Sequence, residues 1–84
     1  MPTDQDVLNL LAKVAETDDV RSNLNLELFD SGILDSLKTV ELMVALGEQF
    51  NIRISPAELD RDEWATPLKL IQFVQARLAA NAAP

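Results

Sequence analysis

Hydrophobic residues recur in three blocks at helical spacing, separated by stretches where the pattern changes. In the first block Val7, Leu8, Leu11, Val14 and Ala15 repeat at intervals that share one helix face. Thr3 precedes them as an N-cap candidate. Asp4 and Asp6 fall in the first turn, where carboxylates oppose the positive helix end. The pattern predicts a helix from about Asp4 to about Glu16.

A long connection follows, from Thr17 to Asp35. Asp18, Asp19, Glu27, Asp30 and Asp35 crowd it, against the single base Arg21. Leu24, Leu26, Leu28 and Phe29 make it too apolar for a free linker. Loops beyond about 12–15 residues are usually functional or packed on their own side chains. This one is expected to lie across the helices, with Leu28 and Phe29 pinned into the core and a turn at Ser31-Gly32.

The second block predicts a helix from Ser36 to Phe50, ending at Asn51, with "NIRI" as an extended link after it. Ser55-Pro56-Ala57-Glu58 reads as a capping serine, a proline at the first helical position and a glutamate at the third, opening a short helix that ends near Asp60. "DRDEWA" is a polar turn around Trp64, the one tryptophan, expected to pack where the short helix meets the last one. Thr66-Pro67 repeats the cap-then-proline signal. The last helix is predicted from Pro67 to Leu78 or Ala80, with Leu68, Ile71, Phe73, Val74 and Leu78 as its apolar positions and residues from about 80 to 84 as a frayed tail. The expected architecture is all-α: one domain over residues 1–84, a small helical bundle of three main helices plus one short helix, with a long first loop.

The second helix has more apolar residues than one buried stripe needs. At ~100° of rotation per residue, Thr39, Leu42, Met43, Leu46 and Phe50 share one face, which reads as the core stripe. Leu37, Val40 and Val44 fall on another face, flanked by Glu41 and Glu48, with Gly47 near its other border. Two readings remain open. A central helix can contact neighbours on two sides and read as apolar all round. Alternatively, the second stripe is an exposed patch with an acidic rim, which marks an interaction site.

Composition narrows the chemistry. A chain of 84 residues buries only roughly 60–65% of the surface its unfolded form exposes, too thin a core for a deep cavity and a full catalytic apparatus. There is no Cys and no His. Disulfides, thiolate chemistry, serine–histidine catalysis and Cys/His zinc sites are excluded. Asp60, Asp62 and Glu63 lack the glycine and spacing of a calcium loop, so no metal site is expected. The net charge of −7 disfavours nucleic acid and anionic lipid and suits partners with basic patches. No apolar run approaches a membrane span, and acids rather than bases precede the first apolar block. The expectation is a monomeric, cytoplasmic protein with no membrane insertion and no enzymatic activity.

Ser36 stands at the mouth of the two-striped helix. A serine there is commonly a cap, but Asp35 competes for that role. If Asp35 caps, Ser36 is the first helical residue and its hydroxyl points outward. An anion on that oxygen would meet the positive helix end and unpaired N–H groups. No His or Lys adjoins Ser36 to activate it, so it reads as a group modified by another enzyme rather than a nucleophile.

These residues carry a resemblance. "LFDSGILDSLKTVELMVALGEQFNIRI" resembles the core of acyl and peptidyl carrier proteins: a Gly shortly before Asp-Ser-Leu, Val-Glu-Leu a turn later, an aromatic helix end and an Ile-containing link. The pattern falls on Gly32, Asp35, Ser36, Leu37, Val40, Glu41, Leu42, Phe50, Ile52 and Ile54. "ELDRDEWATPLKLI" is similar to a segment of D-alanyl carrier proteins, placing Glu58, Asp60, Arg61, Trp64, Thr66 and Pro67, with Leu59 where those proteins often have Phe. The likeness extends over nearly the whole chain.

The resemblance implies 4′-phosphopantetheine attached to Ser36 by a phosphopantetheinyl transferase, with Asp35 beside it in the attachment motif. An adenylating amino-acid ligase would load an aminoacyl group as a thioester, and an acyltransferase would receive it. Leu37, Val40, Glu41, Val44 and Glu48 match the partner-recognition helix. Freestanding carriers of polyketide or nonribosomal peptide pathways share this architecture and are the alternative. An unmodified helical adaptor is the alternative from another class.

Overall fold

A computed structural model describes residues 3–55 and 60–82, with side chains described up to residue 80. Its helices are α1 (Asp4–Ala15), α2 (Asp19–Ser22), α3 (Ser36–Phe50) and α4 (Pro67–Ala82). The short helix expected at Ser55–Asp60 lies largely outside the described residues.

Helix α1 begins where its sequence says it should. Thr3 Oγ1 accepts from the Asp6 N–H at 3.3 Å, and Asp6 Oδ2 accepts from the Thr3 N–H at 2.9 Å. Two of the N–H groups at the helix mouth are thus satisfied reciprocally. The helix stops at Glu16, whose φ of 60° is left-handed and whose N–H donates to the Ala12 carbonyl. Val7, Leu8, Leu10, Leu11, Ala12 and Ala15 are buried, and α1 packs against each of the other three helices.

The long connection is not purely a loop, as the sequence had suggested. Asp19–Ser22 forms one helical turn, α2, with the Asp19 N–H on Thr17 Oγ1 at 3.2 Å and Val20 fully buried beneath it. A single turn shows no period that a sequence pattern can register. Most apolar residues of the connection pack on the helices, although Leu24 is exposed and Phe29 is only partly buried. Leu28 is fully buried, and Leu26, Phe29 and Ile33 pack partly against the core. The Leu28 N–H donates to the Ala65 carbonyl at 2.8 Å, and the Leu68 N–H donates to the Leu24 carbonyl at 3.0 Å. These bonds tie the connection to the segment that opens α4.

Helix α4 opens on the cap-and-proline signal: Thr66 Oγ1 accepts from the Lys69 N–H at 3.1 Å. It continues to Ala82, past the end expected at Leu78 or Ala80. Its buried face is Pro67, Leu70, Ile71 and Val74. Leu68, assigned from sequence to the apolar set, is 39% exposed. It sits roughly 110° around the helix from the centre of that face. Trp64 is fully buried and meets Phe73 edge-on, with ring centroids 5.5 Å apart.

At the far end of α3, Asn51 takes a left-handed φ of 55° and turns the chain back. A Cβ on Gly47 would come within 3.2 Å of the Ile52 carbonyl oxygen. Glycine there lets the returning backbone approach the helix.

Candidate functional site

The site is built at the start of α3. Asp35 is the N-cap: it is extended, with φ −127° and ψ −173°, and its carboxylate accepts from the Lys38 N–H at 2.8 Å. Its carbonyl accepts from both the Thr39 N–H at 2.9 Å and Thr39 Oγ1 at 2.6 Å. Thr39 is only 3% exposed, so a buried side chain holds the cap from below. With Asp35 committed to capping, Ser36 is the first helical residue. It is exposed, and its hydroxyl makes no hydrogen bond among the described residues. The first N–H groups of a helix have no carbonyl within it to bond, so the helix end at Ser36 favours an anion, although the Asp35 carboxylate lies beside it.

A groove of about 510 Å³ opens beside Ser36. Phe29, Leu34, Thr39 and Val40 line it together with Arg61. Gly32, at φ +81°, makes the tight turn that leads into it. Arg61 comes from the polar turn around Trp64, and its guanidinium lies over the Phe29 ring, 4.5 Å from the centroid. Most of these residues lie within residues 29–40, but Arg61 is far along the chain, and no local period relates it or Phe29 to Ser36. Only the packing of the long connection against the turn before α4 brings Phe29 and Arg61 beside Ser36.

The second stripe of α3 is on the surface. Leu37 is 68% exposed, Val40 51% and Val44 52%. Glu41 and Glu48 are exposed beside them. The core stripe is Thr39, Leu42, Leu46 and Phe50, all buried, with Met43 at its margin. Of the two readings open from sequence, the surface patch is the one realised among the described residues.

Lys38 does not join that patch. Its Nζ donates to Glu16 Oε2 at 3.0 Å and to the Val14 carbonyl at 3.3 Å, crossing to the C-terminal end of α1, where a cation opposes the negative helix end. The hydrogen bond to Glu16 raises the Lys38 pKa above its ordinary 10.5. Partial burial opposes the rise, by less than that hydrogen bond but by more than any one of the charges of Glu16, Glu41 and Asp35, which add to it. The exposed patch is therefore rimmed by acid, with its one nearby lysine drawn away.

Residues 5–74 match the family described as the phosphopantetheine attachment site. The chain belongs to this family of carrier proteins. D-alanyl carrier proteins are among its relatives. That of Listeria monocytogenes serotype 4a is 44% identical over 72 residues, which make up 86% of this chain and 92% of the relative. That of Listeria welshimeri serovar 6b is 43% identical over the same shares. The carrier is thus not an enzyme, and its prosthetic group is covalent 4′-phosphopantetheine.

The residues at the mouth of α3 fit that group: an exposed, unbonded hydroxyl, a positive helix end and a guanidinium on one groove. When bound, the group supplies a thiol on a flexible arm that can hold an acyl chain as a thioester. By taking the cap, Asp35 leaves the Ser36 hydroxyl unencumbered. Among the described residues none forms a hydrogen bond that could take the proton of the Ser36 hydroxyl. Asp35 is engaged with Lys38 N–H, and the Lys38 amine faces Glu16. No helix among the described residues is long and apolar enough to cross a membrane.

Proposed function

We propose that Ser36 Oγ is the attachment point of the phosphopantetheine. We propose further that the carrier holds an aminoacyl group as a thioester, D-alanyl as in the names of its relatives. It receives that group from an adenylating amino-acid ligase and passes it to an acyltransferase. The single observation carrying the assignment is the division of labour between Asp35 and Ser36: the aspartate caps, and the serine hydroxyl is exposed without a hydrogen bond.

The carrier acts as one domain. Leu37, Val40 and Val44, rimmed by Glu41 and Glu48, form its docking face for the phosphopantetheinyl transferase, the ligase and the acyltransferase in turn. Exposed apolar side chains within an acidic rim suit fast, reversible association with basic partners. The arm then confines the loaded group near whichever partner is docked, raising its effective concentration. We propose the cytoplasm as the place where it meets these partners.

The cargo is tested by loading. The holo carrier, a D-alanine-adenylating ligase and ATP should give a hydroxylamine-labile adduct with the mass of an alanyl group. The adduct should be absent from the apo protein. Loading by an L-amino-acid or acyl-adenylating enzyme in preference to D-alanine would replace the cell-wall assignment with that of a biosynthetic pathway.

A further inference from the structure

Arg61 belongs to the Asp-Arg-x-x-Trp-x-Thr-Pro segment that attachment alone leaves unexplained. The local structure shows how that segment is held. Asp60 Oδ1 accepts from the Asp62 N–H at 2.9 Å, and the Asp60 carbonyl accepts from the Glu63 N–H at 3.0 Å. The Arg61 carbonyl accepts from the Trp64 N–H at 3.2 Å. Trp64, fully buried, anchors this turn in the core. The next residue, Ala65, accepts from the Leu28 N–H, and Leu28 directly precedes Phe29. A buried tryptophan and a backbone bond thus fix the turn beside the Phe29 ring on which the guanidinium lies.

Arg61 is exposed and pairs with no carboxylate among the described residues, although acids of the long connection and of its own turn lie nearby. Lys38 is committed to Glu16. Arg61 is the cation that lines the groove of Ser36. Guanidinium donors match the oxygens of a phosphate, and an arginine stacked on an aromatic face is already oriented.

We infer that Arg61 holds the phosphodiester formed on Ser36 and so seats the first part of the arm in the groove against Phe29. This rests on Ser36 being the attachment point. Arg61 is then a positioning residue: it biases the arm toward one side of the mouth of α3, next to Val40 at the border of the docking face. In a chain of net charge −7, it also offsets the repulsion between the added phosphate and the surrounding carboxylates.

The test compares apo and holo forms of ¹⁵N-labelled protein, made with coenzyme A and a broad-specificity transferase and verified by intact mass. Conversion should move the Arg61 Nε–Hε cross-peak and the Phe29 ring resonances by more than a linewidth. Raising salt to about 1 M, where screening acts within roughly 3 Å, should return them toward their apo positions. In holo Arg61→Gln the ³¹P resonance should shift from its wild-type position, and Arg61→Lys should fall between the two. Arg53→Gln, which removes the same charge beyond the opposite end of α3, should leave it in place. A full mass gain with unchanged Arg61 and Phe29 resonances overturns the inference and leaves Ser36 standing. An unchanged ³¹P position in Arg61→Gln does the same. Absence of any mass gain overturns both. If Arg61→Gln does not fold, the apo and holo wild-type spectra decide alone.

Discussion

Helix α3 carries two apolar stripes of similar composition that meet opposite fates. Leu42 and Leu46 are fully buried, whereas Leu37, Val40 and Val44 are more than half exposed. The stripes lie roughly 145° apart around the same cylinder. Helix α1 covers one side of α3, and no described element covers the other. Periodicity therefore detects that a residue belongs to an apolar face, but not whether that face has a partner within the chain. A small domain has little apolar surface to spare, so a face left outside by the fold is what the proposed docking role draws on.

Replacing one leucine of the inner stripe should give the largest effect. Leu46→Ala should lower unfolding free energy by about 2–5 kcal/mol, read from the midpoint of urea denaturation. Val44→Ala on the outer stripe should stay within about 0.5 kcal/mol of wild type. Equal losses would mean that the outer stripe is core.

The outer stripe should answer to a different measurement. Val40→Asp or Val44→Asp should weaken association with the transferase or ligase at least ~10-fold, corresponding to about 1.4 kcal/mol, while the urea midpoint barely moves. Unchanged affinity would leave these residues as ordinary surface. The acidic rim should act on rate. Glu41→Lys should slow association with a basic partner at low salt, and the difference should shrink once screening falls below about 8 Å near 0.15 M. Rates that match wild type at every salt concentration would remove the rim from recognition.

The smallest effect concerns the lysine that leaves the patch. Because the folded-state pKa of Lys38 is raised above 10.5, its contribution is complete below that value and fades as pH rises through the higher folded-state value. Lys38→Met should therefore narrow the stability gap between neutral and strongly alkaline pH, measured by thermal unfolding. A gap as wide as in wild type would show that the contact with Glu16 contributes nothing to it.

Local chemistry explains which parts of this molecule could be read from its sequence. The starts of α1, α3 and α4 were legible because Thr3, Asp35 and Thr66 each bond an N–H three residues on. So was the exposure of Ser36, which follows once Asp35 is the cap. Helix α2 was not, since one turn around Val20 has no period. On α4 the buried leucine is Leu70 rather than Leu68, because the rotational centre of a face depends on which neighbour it meets. The surroundings of Ser36 were the least legible. Phe29 and Arg61 arrive there through the Leu28–Ala65 bond and the burial of Trp64, tertiary events that no spacing encodes.

The central claim is that the oxygen of Ser36 carries the prosthetic group. It is tested most directly by intact mass after incubation with coenzyme A and a broad-specificity phosphopantetheinyl transferase. Wild type should gain the mass of one phosphopantetheine, and folded Ser36→Ala should gain none. A gain that survives Ser36→Ala would contradict the account.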